Sequence, residues 1–299
     1  MTSSKNLRGV LPPAVTIFDE AEKISESGMQ DQVRFLMQSG VHGITVGGST
    51  GEGHTLSSQE LSDIVKITLE VTDSKVPLIA GIIENSTKSV IKKIDALKNL
   101  PINALQITPV YYLFEPDQAS IIEYYRDISK STDKPIIIYN VIPWVYLSVE
   151  TLLKVMDEVP QVIGVKQSAG DLESLALLLK KRPPGKLVIT AVDPLLCSSF
   201  CLGADGVIAA LPTAAPSACV ALWNACQQNN FSYANSLHEK LLGVWDTIKG
   251  PNLPANVKYC LELQGCNSGI PRRPMQKTTD AQKSSIEKAF SELNRFSQS

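Results

Sequence analysis

A lysine, a tyrosine and a pair of hydroxyl residues stand where they could carry covalent chemistry. Lys166 lies near the end of residues 162–168, a short apolar run rich in β-branched side chains. Such a run reads as a strand buried on both faces of a parallel sheet. An ammonium group is costly there unless it is paired or neutral. A lysine that attacks a carbonyl needs its pKa brought from about 10.4 to roughly 7–8, and burial shifts it in that direction. At about 1.4 kcal/mol per unit, the site must disfavour the ammonium by roughly 4 kcal/mol. The free amine can then form a Schiff base. The structural alternative is a strand-end lysine whose head reaches water. Tyr139 ends another apolar run, residues 135–140. Its phenol could pass a proton to or from a bound intermediate, or simply reach solvent from a favoured strand position. Ser49 and Thr50 sit in a glycine-rich stretch, residues 47–53, that lacks the lysine of a P-loop. Its N–H groups and hydroxyls could grip an anion of carboxylate size, or serve only as a capped turn. Thr16, Tyr111 and Asp193 also fall at strand ends, and Tyr111 and Tyr112 carry the same two readings as Tyr139.

Strands and helices alternate through the chain that must position these groups. Strand-like runs cover residues 9–18, 43–47, 77–83, 104–110, 135–140, 162–166, 187–193 and 205–210. Helical periodicity falls between them, at 27–39, 86–99, 148–159 and 172–181 among others, and Ser57 with Glu60 forms a capping box. Beyond Pro212 the strand signal stops, and helical segments follow near 216–229, 231–248, 254–264 and 279–294. Eight sustained units predict an α/β fold, a (β/α)8 TIM barrel over residues 1–212, with its last helix and a C-terminal helical extension packed on it over 213–299. A doubly wound sheet would more often show a dinucleotide fingerprint after its first strand, and here that strand runs into Phe18, Asp19 and Glu20. In a barrel, chemistry gathers at the C-terminal ends of the strands.

Composition sets the outer limits. The 299 residues are 43% hydrophobic and 19% charged, with a formal net charge of -2. That suits a globular chain with a large core and gives no footprint for nucleic acid or an anionic membrane surface. No run approaches the ~18 apolar residues of a membrane helix, and the first nine residues lack the apolar core of a secretory signal. The expectation is a cytoplasmic protein. The six cysteines include no CxxC pair; Cys197 and Cys201, four apart in an apolar segment, read as buried thiols on one helix face. The three histidines lack ligand spacing, so neither a metal nor a cofactor is expected.

Taken together, Gly47 to Glu52, Tyr139-Asn140, Gly164-Val165-Lys166 followed by Gly170-Asp171, and Gly203 to Ile208 resemble the dihydrodipicolinate synthase/N-acetylneuraminate lyase family. These are Schiff-base, pyruvate-type class I aldolases, and the resemblance spans residues 7–296. It implies that Lys166 forms an imine with pyruvate or a related 2-oxo acid and that Tyr139 moves the proton. Ser49 and Thr50 would hold the carboxylate, and the backbone carbonyl of Ile208 would line the pocket. Tyr111, with Tyr112 as the fallback, would cross into a neighbouring subunit's relay with Ser49 and Tyr139, in a homotetramer. The departures concern the second substrate. Residues 141–146 contain no arginine where synthases usually carry one for a carboxylate, and Trp144 and Tyr146 cannot supply its bidentate fork. The acidic pair of the sialic-acid branch is halved, because Pro194 follows Asp193, and Ala169 stands where a hydroxyl residue is common. Aldol cleavage or condensation, dehydration and deamination can all start from the same imine, which acts as an electron sink. A non-catalytic barrel that binds a small acid is the reading from another class. A flavin or phosphate-sugar barrel would want a glycine-rich phosphate site after strands seven and eight, which this chain lacks.

Overall fold

The computed structural model describes residues 7–113 and 115–298. The first six residues, on which the absence of a secretory signal was partly read, lie outside it, as does Phe114. Among the described residues, eight parallel strands follow one another around a barrel. They are β1 (Gly9–Val10), β2 (Ile44–Val46), β3 (Leu78–Ile82), β4 (Ala104–Ile107), β5 (Ile136–Asn140), β6 (Val162–Gln167), β7 (Leu187–Thr190) and β8 (Gly206–Val207). β1 pairs with β8, and an isolated parallel bridge between Pro13 and Thr45 closes the circle to β2.

That closing seam is where the strand expectation falls short. Residues 9–18 do not form one long strand, because Pro12 and Pro13 have no N–H to give to a ladder. Only acceptors and flanking donors serve there: Thr45 N–H donates to the Pro12 carbonyl at 2.9 Å, and Ala14 N–H to the Thr45 carbonyl at 2.8 Å. β8 is likewise shorter than residues 205–210.

The outer helices include α1 (Glu26–Gln38), α2 (Ser58–Thr72), α3 (Thr87–Leu97), α4 (Gln118–Ser129), α5 (Val149–Glu158) and α6 (Leu172–Lys181). The capping box at α2 is formed, Ser57 N–H donating to Glu60 Oε2 at 2.8 Å and Glu60 N–H to Ser57 Oγ at 3.2 Å. Asp171 caps α6 by accepting from Ser174 N–H. After β7 comes α7 (Leu196–Cys201), the helix that the spacing of Cys197 and Cys201 implied, and after β8 the short α8 (Leu211–Ala214), which periodicity did not reveal. The chain ends in α9 (Pro216–Gln227), α10 (Phe231–Ile248), α11 (Leu253–Leu263) and α12 (Asp280–Gln298), close to the expected segments.

Two buried clusters follow from the period of two along each strand. Leu11, Ile79, Ala104, Ile137, Leu187 and Ile189 fill the barrel interior. The alternate set, such as Leu105, Ile136, Ile138 and Val165, meets the helices in a core that runs on into α10, α11 and α12. Ile137 and Tyr139 share the inward face of β5, and Tyr139 pairs in register with Lys166 on β6. Two polar side chains therefore top an apolar column on adjacent strands.

Candidate active site

Lys166 and Tyr139 meet at the C-terminal mouth of the barrel. Lys166 Nζ lies 3.7 Å from the centre of the Tyr139 ring, and both residues are 3% exposed. Burial lowers the Lys166 pKa from the usual lysine range, while the neighbouring Tyr139 and Asp193 oppose the shift. The net direction favours the free amine, the nucleophilic form. The Tyr139 hydroxyl donates to Ser49 Oγ at 3.0 Å, joining residues 90 positions apart. Ser49, Thr50, Tyr139, Lys166 and Ile208 all line one cavity of about 380 Å³, so five of the six sequence-derived candidates come together.

The turn that presents Ser49 and Thr50 depends on close backbone approach. Gly47 has φ +71°, and a Cβ on Gly53 would overlap the Gly47 carbonyl, so neither position accepts a larger residue without movement. Thr16 contributes from beneath, its hydroxyl donating to the Gly51 carbonyl at 2.6 Å. Glu52 has φ +56° and is fully buried. Its Oε1 accepts from Lys258 Nζ of α11 at 2.6 Å, and its Oε2 from Arg272 N–H at 2.8 Å. Lys258 also donates to the Ile270 carbonyl. The turn is thus tied to the C-terminal segment by a buried ion pair whose partners are 206 residues apart, a link no local pattern could reveal.

Asp193 also lines the cavity, and its carboxylate is already engaged. It accepts from Leu211 N–H at 2.6 Å at the start of α8. Burial pushes its pKa up to about 6, against the pull of the backbone N–H groups of Leu211 and Ala210 and of Lys166. Asn140, next to Tyr139 but on the opposite face of β5, clamps the following loop. It accepts from Leu147 N–H at 2.9 Å and donates to Gln167 Oε1 at 2.8 Å.

Tyr111 is the candidate that does not join this cavity. It is half-buried, its N–H donates to Asn85 Oδ1 at 3.2 Å, and its carbonyl accepts from Trp144 Nε1 at 2.8 Å. Tyr112, Leu113 and Trp144 beside it are 73%, 72% and 65% exposed. Trp144 and Tyr146 do not line the cavity either; the Tyr146 hydroxyl donates to the Ser168 carbonyl at 3.2 Å. The outer wall comes instead from Val141, Ala209 and Ala210 and, beyond the barrel, Trp245, Leu253, Pro254 and Met275, with His54 and Ser168 as its polar members. The sequence marks residues 231–248 and 254–264 as helical segments but does not say what their ends cover.

The profile of the dihydrodipicolinate synthetase family matches residues 6–293. The 4-hydroxy-tetrahydrodipicolinate synthase of Methanopyrus kandleri is 29% identical over 290 residues, covering 96% of each chain. Dihydrodipicolinate synthase from Thermotoga maritima superposes with a TM-score of 0.91 at 27% identity, over 96% of this chain and 98% of that one. CdNal from Clostridium difficile, solved in complex with mannosamine, gives 0.87 at 26% identity over 96% and 99%. The family match runs from before the first strand into α12, and the chain belongs to the dihydrodipicolinate synthetase family of class I aldolases, as a lyase.

Proposed function

We propose that the enzyme joins or cleaves a carbon–carbon bond next to the carbonyl of pyruvate or a related 2-oxo acid, held as an imine on Lys166. The observation that carries this is the buried Lys166 amine 3.7 Å from the Tyr139 ring, whose hydroxyl bonds Ser49. In this reading the Lys166 amine attacks the keto carbon and water leaves. The protonated imine accepts the electron pair when a proton, or the second fragment, leaves the adjacent carbon. Tyr139 and Ser49 carry protons between the intermediate and solvent. Ser49 and Thr50 bind the carboxylate, and Ile208, which lines the same cavity, offers its backbone carbonyl to the bound acid. Dehydration or deamination would start from the same imine, but the named relatives, synthases, favour carbon–carbon chemistry.

The second reactant is a neutral aldehyde. Among the described residues no arginine lines the cavity, Asp193 is occupied at α8, and the outer wall is apolar apart from His54 and Ser168. A carboxylate there would lose its hydration without a bidentate partner. We also place the protein in the cytoplasm as a homotetramer, with Tyr111, or failing it Tyr112, completing a neighbouring subunit's relay. The exposed Tyr112, Leu113 and Trp144 support a contact there, and no helix of the described residues is long and apolar enough to cross a membrane. Turnover of pyruvate with paired aldehydes tests the function. Neutral aldehydes should exceed carboxylate-bearing ones in kcat/KM by at least about tenfold, or 1.4 kcal/mol. Preference for the charged aldehyde, or no consumption of pyruvate with any acceptor, contradicts it.

A further inference from the structure

Three thiols converge outside the cavity, between α7, α9 and α10. Cys197 and Cys201 lie one turn apart on α7, and Cys226 comes from the last turn of α9. The Cys197 and Cys226 sulfurs are 4.0 Å apart, and all three lie within 4.8 Å of one another. Cys197 and Cys226 are buried, whereas Cys201 is exposed. The expectation of two thiols buried on one helix face thus holds for Cys197 only. The cluster is therefore buried at Cys197 and Cys226 and open to solvent at Cys201. The exposed Asn235 of α10 adds an oxygen at the rim, its Oδ1 accepting from Cys197 Sγ at 3.4 Å.

We propose that Cys197, Cys201 and Cys226 form a three-thiolate site for a soft divalent cation of the zinc type. Zinc–sulfur bonds of about 2.3 Å hold tetrahedral sulfurs about 3.8 Å apart, so the triangle needs only a small contraction. Thiolates select soft cations, and three of them leave a net charge of −1 around a divalent ion against −2 around a monovalent one. The smaller residual charge is the less costly to keep half-buried. The fourth position falls to water on the open side or to Asn235 Oδ1. Burial favours the neutral thiol at Cys197 and Cys226. A bound cation reverses that preference, each thiol releasing its proton to solvent as the metal–sulfur bond forms. Spacing in sequence conceals the site because its third ligand lies on another helix.

The test uses the full chain, reduced and stripped with a chelator, then supplied with Zn2+ or with Co2+ as a coloured substitute. One ion per chain should be retained in native mass spectrometry. Co2+ should give intense near-ultraviolet sulfur-to-metal absorption, and Zn2+ should protect Cys201 from alkylation. Cys201→Ser and Cys226→Ser should each weaken binding by at least about tenfold, while Cys266→Ser, outside the cluster, should not. Protection of Cys201 is read on the unmodified chain and needs no variant to fold. Failure to retain an ion overturns the proposal. So does binding by the two cluster variants equal to that of the unsubstituted chain, or a loss of two hydrogens marking a Cys197–Cys226 disulfide formed without metal uptake.

Discussion

At the residue scale, Lys166 and Asp193 have opposed electrostatic needs within one cavity. Burial lowers the lysine pKa and raises that of the aspartate to about 6. Above that value an ionised Asp193 favours the Lys166 ammonium, so it works against the free amine. Asp193→Asn preserves an oxygen for the Leu211 N–H and removes the charge. Imine formation requires the amine and rises with pH through the Lys166 pKa. The substitution therefore moves this acid limb to lower pH, measured as the rate of adduct formation with pyruvate across pH. A limb that stays in place or moves upward refutes the coupling. Lys166, Tyr139 and Ser49 were legible in the sequence because short motifs place each at the end of an apolar run. The engagement of Asp193 was not, since the N–H that satisfies it comes from Leu211, in a short helix without periodicity.

At the element scale, the glycine-rich turn and α11 depend on each other through Glu52 and Lys258. Both side chains are nearly free of solvent, and the pair is 2.6 Å apart. Removing one partner of such a pair leaves an uncompensated buried charge. Lys258→Met should cost about 3–5 kcal/mol of stability, read from urea unfolding. The double variant with Glu52→Gln should recover part of that loss, since it buries no unpaired charge. Equal losses in the single and double variants would show that packing, not charge, sets the cost. The sequence displayed Glu52 inside a recognisable motif and Lys258 inside a helical pattern; only the fold brings them together. The same limit applies to the barrel seam, where Pro12 and Pro13 permit curvature and bridging but not a regular ladder.

At the scale of the whole molecule, strand–helix alternation was enough to read the barrel, because eight units with these short connections have few other solutions. How the C-terminal helices meet the mouth was not readable. Periodicity identifies an apolar face without its partner, so Trp245, Leu253, Pro254 and Met275 emerged as cavity walls only in three dimensions. The exposed Tyr112, Leu113 and Trp144 pose a parallel question about assembly. Sedimentation should give four chains of 32.5 kDa each. If Tyr111 completes a neighbouring site, Tyr111→Phe should lower kcat by about tenfold or more, with Tyr112→Phe near wild type. A fully active monomer would contradict both the assembly and the relay.

Covalent catalysis through Lys166 can be checked by borohydride trapping. The protein is incubated with pyruvate, reduced, digested and mapped by mass spectrometry beside Lys166→Ala. The expected product is a pyruvyl adduct confined to Lys166 and absent from the variant. No adduct with pyruvate or with any longer 2-oxo acid, or an adduct that survives in Lys166→Ala, would contradict it.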